Sequence, residues 1–327
     1  MIVEEVPGFF RIEVPLPGNP LRTLNAYLVR GDPRSLLIDN GFNMPESEAA
    51  LRAALAELEV AHGTLDFFIT HLHSDHCGLT AKFFTPGARV FTGRMDGESV
   101  NAFIVDPQLW PRLLQDLGRH GFPGEDLERL AAEHPGRVYA GRESLPFTWV
   151  REGDELRYGA FRLRVLEVPG HTPGHLALHE VGERFLVAGD LILGAITPNI
   201  TCWRGVADPL ADYLRSLDRV AALDIRCVYP GHRAIVRDAA ARIEALRRHH
   251  ADRLEEVCGL VHALGRATAW DVAARMRWSL RGGWNDYGCA QKCFAVGETA
   301  AHLDHLALMG RLERRAAPGK NIVYGAA

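Results

Sequence analysis

Long apolar runs are missing from this 327-residue chain: no stretch approaches the roughly 18 consecutive apolar residues that a membrane-spanning helix needs. The opening MIVEEVPGFF has no basic segment leading into an apolar one, so no secretory signal is read and a cytoplasmic protein without membrane association is expected. Cysteine is sparse. Of six scattered residues only Cys289 and Cys293 lie close together, and a CxxxC pair without a second cluster reads as ordinary reduced thiols. Positive charge is not in excess: 37 Lys and Arg face 41 Asp and Glu, a formal net charge of −4, which removes any overall electrostatic reason to expect nucleic acid. No internal repeat or low-complexity tract is present.

What remains is an ordinary globular composition, 47% hydrophobic and 24% charged, long enough for one large domain or a large and a small one. The charge is uneven along the chain. Residues 233–327 carry 15 basic against 10 acidic residues, and residues 1–232 carry 22 against 31, a basic tail on an acidic body that hints at two modules. Histidine is abundant, 15 residues, many of them in short clusters.

Short apolar, β-branched runs bounded by Gly, Pro or Asn predict strands at 9–14, 24–29, 35–39, 66–70, 89–92, 161–168, 176–180, 184–188 and 226–229. Helical spacing of apolar residues predicts helices over 45–58 and 208–223, so the first 235 residues read as a layered α/β domain. Residues 93–141 hold two predicted helices, near 107–119 and 125–133, and read as a surface insertion. Its Phe103, Trp110 and Phe122 either line a substrate pocket or fasten the insertion to the body. From 236 to 327 the chain predicts a long helix over 239–264, a helix capped by Thr268 and running to 276, and a third over 298–309. A hairpin pairing 311–315 with 321–324 follows, and together these make a small winged-helix-like module.

The chemistry gathers at the ends of predicted strands. Phe67-Phe68-Ile69-Thr70-His71-Leu72-His73-Ser74-Asp75-His76 runs a buried strand straight into three histidines and an aspartate. Imidazole and carboxylate are the ligand types that suit zinc and its first-row neighbours. His71 and His73, two apart on an extended chain, project to one side. Downstream, His171 in Pro-Gly-His-Thr-Pro-Gly-His, Asp190 in Ala-Gly-Asp and His232 in Tyr-Pro-Gly-His each follow a strand, next to a glycine that permits close backbone approach. Loops beyond strand ends are where layered α/β folds collect ligands, and these seven residues amount to a two-metal site. His175 is assigned a structural role beside them, and Cys77 is set aside because seven better ligand candidates are present. Asn199 and Trp203, in the stretch after Asp190, are candidate substrate contacts at a pocket rim, and His249 and His250 read as solvated or packing residues.

The motif His-x-His-x-Asp-His, followed in order by separate His, Asp and His motifs, resembles the metallo-β-lactamase superfamily over about residues 9–235. The resemblance implies a four-layer αββα sandwich as catalytic domain (1–235, with the insertion at about 93–141), joined to the winged-helix-like domain (236–327). It implies one metal held by His71, His73 and His171, a second by Asp75, His76 and His232, and Asp190 bridging them. The expected cofactors are two zinc ions, with iron or manganese as alternatives. Such a pair clamps a bridging hydroxide as nucleophile, which Asp75 would orient.

The antibiotic-cleaving branch does not use the bridging aspartate, so the ligand set looks instead like the glyoxalase II and RNase Z types. The leading expectation is a hydrolase of a small thioester or ester, similar to hydroxyacylglutathione hydrolases, although the C-terminal module does not look like their glutathione-holding domain. The alternative is a phosphodiesterase or endoribonuclease using the basic cluster Arg311, Arg314, Arg315 and Lys320 on phosphates. An iron-dependent persulfide dioxygenase and a nucleic-acid-binding regulator are lesser readings, and the winged helix is expected to serve as a packing or homodimer module rather than to bind nucleic acid.

Overall fold

The computed structural model describes residues 1–279, 281–317 and 319–327, with His62 described by its backbone alone. Contacts divide the chain into two units. One comprises Met1–Val105, Tyr139–Pro198 and Ser216–Ile243; the other comprises Asp106–Val138, Asn199–Arg215 and Glu244–Ala327. Among the described residues no helix is long and apolar enough to cross a membrane.

The first unit is built on two sheets. Strands β1 (Ile2–Val6), β2 (Phe9–Pro15), β3 (Thr23–Val29), β4 (Ser35–Ile38), β5 (Leu65–Phe68), β6 (Val90–Thr92) and β7 (Phe147–Trp149) lie side by side in chain order. The β1–β4 pairings are antiparallel, and from β4 to β7 the strands run parallel. The second sheet runs β12-β11-β10-β9-β8, with β8 (Glu155–Tyr158), β9 (Phe161–Glu167), β10 (Leu176–Glu180) and β11 (Phe185–Gly189) antiparallel and β12 (Cys227–Pro230) parallel to β11.

Alternation of side chains along the strands decides what each face buries. Leu24, Ala26 and Leu28 of β3, Leu37 of β4 and Leu65 and Phe67 of β5 join a core with Leu51, Ala54 and Leu55 of the helix Pro45–Glu57. The intervening Tyr27, Val29, Leu36, Ile38 and Phe68 meet Leu163, Val165, Leu176, Leu178, Phe185, Val187 and Tyr229 of the second sheet. Phe9 is at the centre of that inter-sheet core: its ring centroid lies 4.7 Å from Phe185, 5.0 Å from Tyr229 and 5.4 Å from Tyr27. On the far side of the second sheet, Ser216 Oγ donates to Pro169 O at 2.8 Å and Arg219 Nη1 to Glu167 O at 2.8 Å, seating the end of the helix Pro209–Ala221. The layers are therefore αββα.

A buried carboxylate ties β5 to its surroundings. Asp66 Oδ1 accepts from Arg34 Nε at 2.7 Å and from Arg89 N at 2.9 Å, while Oδ2 accepts from Arg89 Nη2 at 2.7 Å and from Tyr158 Oη, on the second sheet, at 2.6 Å. Burial raises the carboxyl's pKa, but these hydrogen bonds outweigh it and hold it below the usual carboxylate value.

In the second unit the helices Leu109–Arg119, Gly124–Glu133, Ala239–Leu264, Ala269–Ala273 and Cys289–Leu308 accompany a three-stranded antiparallel sheet. Its order is β13 (Arg266–Ala267), β15 (Val323–Ala326), β14 (Leu312–Arg315). Phe122 and Leu130 are buried in one core with Val257, Val261, Val296, Leu303 and Tyr324, and Phe122 meets Trp270 at 5.0 Å. Of the two readings of Phe122, it is therefore a packing residue. The described cysteines are free thiols.

Several elements depart from the sequence expectation. The last long helix begins at Cys289 rather than 298, because Gln291 caps the N–H of Gly288 and starts the helix there. The helix after Thr268 ends at Ala273, three residues short of 276, after a reciprocal Thr268–Asp271 cap. The helix Arg94–Val105 and the strands β1, β7 and β8 carry no clear periodic signal: they are short, edge-placed or polar on one face.

Two measurements test this account. Phe9→Ala should cost about 3–5 kcal/mol in urea unfolding, the range for a large aromatic cut from a core, and a loss below about 1 kcal/mol would remove Phe9 from the inter-sheet core. Asp66 has a lower pKa folded than unfolded, so its contribution is present above the unfolded value and disappears as pH falls through the folded one. Asp66→Asn should accordingly lower stability at pH 7 and flatten its fall as the pH drops below the ordinary carboxylate value, as read by urea unfolding across that range.

Candidate metal centre

The parallel strands β4, β5 and β6 end at the same sheet edge, and their continuations carry Asp39, the 71–76 loop and Asp96. On the second sheet, the chain beyond β9 carries His171, that beyond β11 Asp190 and that beyond β12 His232. The seven residues singled out as ligand candidates converge. His73 Nδ1 lies 3.0 Å from both His71 Nε2 and His171 Nε2. His232 Nε2 lies 3.3 Å from His76 Nε2 and 3.2 Å from Asp75 Oδ2. Asp190 stands between the two groups, Oδ1 at 3.5 Å from His76 Nε2 and Oδ2 at 3.7 Å from His232 Nε2 and 3.8 Å from His171 Nε2. Three sets of donor atoms thus fall within 4.8 Å of one another: His71/His73/His171, His71/His76/Asp190 and Asp75/His76/His232.

These separations test whether a metal fits. Two nitrogens bound to one zinc at about 2.0–2.1 Å in a tetrahedron are roughly 3.3–3.4 Å apart. The separations given within the groups, 3.0 Å in the first and 3.2–3.3 Å in the second, lie at or a few tenths of an ångström below that value. Asp190 Oδ1 is buried and has no hydrogen-bond partner among the described residues, which is costly for a carboxylate oxygen that binds nothing. The donor set fits a cation.

Neighbouring groups set which ring nitrogen faces inward. His76 Nδ1 lies 2.7 Å from Asp39 Oδ2, His71 Nδ1 3.0 Å from Thr70 Oγ1 and His232 Nδ1 2.8 Å from the Thr23 carbonyl, leaving each Nε2 turned to the cluster. Asp39 is in turn held by the N–H and hydroxyl of Thr70, both at 2.9 Å. The 230–233 loop is fastened by Asn25 Nδ2, donating to Pro230 O at 3.0 Å and Arg233 O at 2.9 Å, and by Tyr27 Oη, donating to Pro230 O at 2.7 Å. Both Asp39 and Arg233 hold positive φ, 57° and 69°, and such strained backbone next to a site persists only where the surroundings over-determine it.

Burial and the surrounding imidazoles push the pKa values of His71 and His175 well down, keeping both neutral. For His76 burial acts the same way, but Asp39, Asp190 and Asp75 overcome it and raise the value to about 10. His232 is likewise raised by Asp190 and Asp75 against its burial. The carboxylates therefore draw positive charge into the second group, and a metal binding there displaces protons.

His175 Nε2 accepts the N–H of Asp190 at 3.1 Å, a structural contact, and Cys77 Sγ points to the Leu72 carbonyl at 3.4 Å. Asn199 and Trp203 belong to the other unit, where the Asn199 amide donates to Glu298 Oε2 at 3.0 Å and Phe294 O at 3.2 Å. His250, in that same unit, is buried with its Nδ1 3.1 Å from His302 Nε2, a packing residue. The sequence reading missed Asp39, Thr70 and Asp96. Asp39 had a signal, an acidic residue ending a strand before Asn-Gly; Asp96 had none.

The chain matches the metallo-beta-lactamase superfamily over residues 20–232. It belongs to this superfamily. Probable metallo-hydrolase YqjP of Bacillus subtilis (strain 168) is 33% identical over 243 residues, 71% of this chain and 73% of that protein. The crystal structure of a metallo-beta-lactamase family protein from Thermus thermophilus superposes with a TM-score of 0.82 at 33% identity, covering 99% of this chain and 100% of that one. Acyl-coenzyme A thioesterase MBLAC2 of Bos taurus is 25% identical over 218 residues, 64% of this chain and 72% of that protein. As a metallo-beta-lactamase superfamily member, the chain is a metal-dependent hydrolase.

Glycine has a specific task in this metallo-beta-lactamase site. A Cβ on Gly231 would lie 2.6 Å from both Asp190 Oδ1 and His76 Cε1. Gly231→Ala should therefore force Asp190 and His76 apart, lowering metal uptake by the metal-free protein while its Tm moves only a few degrees. Unchanged metal stoichiometry and affinity would show that this close approach is not required.

Proposed function

We propose that the protein is a binuclear zinc hydrolase of a small thioester or ester, similar to hydroxyacylglutathione hydrolases and other acyl-thioester hydrolases. The observation that carries this reading is Asp190, whose carboxylate lies between the two groups: Oδ2 is 3.8 Å from His171 Nε2 of one and 3.7 Å from His232 Nε2 of the other, and Oδ1 is 3.5 Å from His76 Nε2. His71, His73 and His171 would hold one ion and Asp75, His76 and His232 the other, with Asp190 shared. Five imidazoles and two carboxylates are the donor chemistry of zinc. A metal pair, when bound, supplies an acidified water and a Lewis acid for the carbonyl under attack.

The chain's own residues do the rest. Asp39, Thr70 and the Thr23 carbonyl fix ring orientation and keep each inward nitrogen free to bind. Asp75, whose Oδ2 lies 3.2 Å from His232 Nε2, is the carboxylate placed to accept and hold a proton of the attacking water.

Charge favours a small acyl substrate over a polyanion. Arg311 is paired with Glu255 at 2.8 Å, Arg314 with Asp304 at 2.7 Å and Arg315 with Glu313 at 2.7 Å, so the basic C-terminal cluster is largely neutralised by its own neighbours. The thioesterase relative supports the same class of bond.

Zinc-loaded protein assayed in parallel on S-lactoylglutathione and on bis-nitrophenyl phosphate should show the higher kcat/KM on the thioester. A phosphodiester preference would overturn the proposed bond and favour the nuclease alternative. Asp190→Ala should take zinc from two ions per chain to one or none and lower turnover by at least about 10²-fold, beyond the usual effect of residues outside the ligand set. A variant that kept two ions and near-normal activity would refute the binuclear reading.

A further inference from the structure

Asp96 is fully buried in the first turn of the helix Arg94–Val105 and belongs to none of the donor sets. Its carboxylate takes three donors. The Leu72 N–H reaches Oδ2 at 2.9 Å, the Thr172 hydroxyl reaches Oδ2 at 2.5 Å, and the Gly174 N–H reaches Oδ1 at 2.6 Å. Leu72 lies between His71 and His73, and Thr172 follows His171, so one side chain spans the two loops that supply the first histidine group. Those loops are 98 residues apart in sequence at the His73–His171 contact.

The arrangement is more specific than packing requires. A buried carboxylate is costly, and among the described residues Asp96 makes no ion pair that would offset the cost. What it offers is acceptor capacity: an ionised carboxylate accepts several hydrogen bonds and donates none, whereas an amide of the same shape turns a donor toward N–H or O–H groups. Gly174 is shaped to the contact, since a Cβ there would lie 2.6 Å from Asp96 N and 2.8 Å from Asp96 Oδ1. His76, in the second group, is oriented by direct contact of its ring with Asp39; Asp96 instead acts on the loops through two backbone N–H groups and the Thr172 hydroxyl.

We propose that Asp96 is a positioning residue for the group His71, His73 and His171, setting the spacing of its two loops and thereby that group's metal affinity without touching the ion. The proposal rests on the two-metal reading above.

Zinc affinity of the metal-free protein, measured by competition with a chromophoric chelator, tests it in two backgrounds. His232→Ala leaves the His71/His73/His171 group intact, and His171→Ala leaves the Asp75/His76/His232 group intact. Adding Asp96→Asn should weaken zinc by about 10–100-fold in the first background, the range for groups that orient ligands, and by less than about threefold in the second. Thr172→Val removes only the hydroxyl link; in the His232→Ala background it should give a smaller loss of the same kind, and it decides the matter if Asp96→Asn does not fold. Equal weakening in both backgrounds, or a fall in Tm with affinity unchanged, would overturn the positioning role. Wild-type protein that takes up no zinc would overturn the two-metal reading itself, an outcome separable from a wild-type that binds two ions and an Asp96→Asn that binds them equally well.

Discussion

Crowding of largely buried imidazoles and carboxylates is the constraint on which the first unit depends. Five histidines and two aspartates bring their donor atoms within hydrogen-bonding or ion-pair range of one another at the edge between two sheets. Such a gathering opposes itself: burial disfavours charge, and neighbouring imidazoles disfavour one another's protonation, as the depressed His71 and His175 record. The carboxylates of Asp39, Asp75 and Asp190 act the other way and hold His76 charged. The balance is that of a donor cluster suited to metal binding.

Holding that arrangement is the work of the surrounding fold. The strands β5, β11 and β12 that lead into the 71–76 loop, Asp190 and His232 are buried on both faces, and β9, which leads to His171, is buried on one; the inter-sheet core around Phe9 and the helix-facing core around Leu51 thus set the positions from which the loops depart. The loops are then tied by polar contacts that carry no metal: Asp39 to His76, Asn25 and Tyr27 to the 230–233 loop, His175 to Asp190, and Asp96 to two loops at once. Strained or crowded backbone is tolerated there because several such contacts converge on each segment. Asp66 extends the same logic one strand back, fastening β5 to its neighbours and to the second sheet before the chain enters the histidine loop.

The second unit carries none of the seven ligand candidates. Its core is assembled from segments distant in sequence, with Phe122 and Leu130 packed among residues of the C-terminal helices. Arg311, Arg314 and Arg315 are held in local ion pairs, and the acidic balance of residues 1–232 gives no field for a polyanion.

The candidate donor cluster was legible in the sequence because its spacing is local. His71, His73, Asp75 and His76 fall within six residues, and His171, Asp190 and His232 each follow a short apolar run beside a glycine, so strand ends could be read without knowing how the strands pair. The αββα class followed from the family resemblance those motifs carry. Tertiary structure alone decided the rest. Asp39, Asp96, Asn25 and Tyr27 act on residues up to about two hundred positions away, and no periodicity in the chain records such contacts. The partnership of residues 106–138 with the C-terminal helices, and the ion pairs that neutralise Arg311, Arg314 and Arg315, likewise arise only on folding, because hydrophobic burial and charge pairing select partners in space and leave no spacing in the sequence to be read.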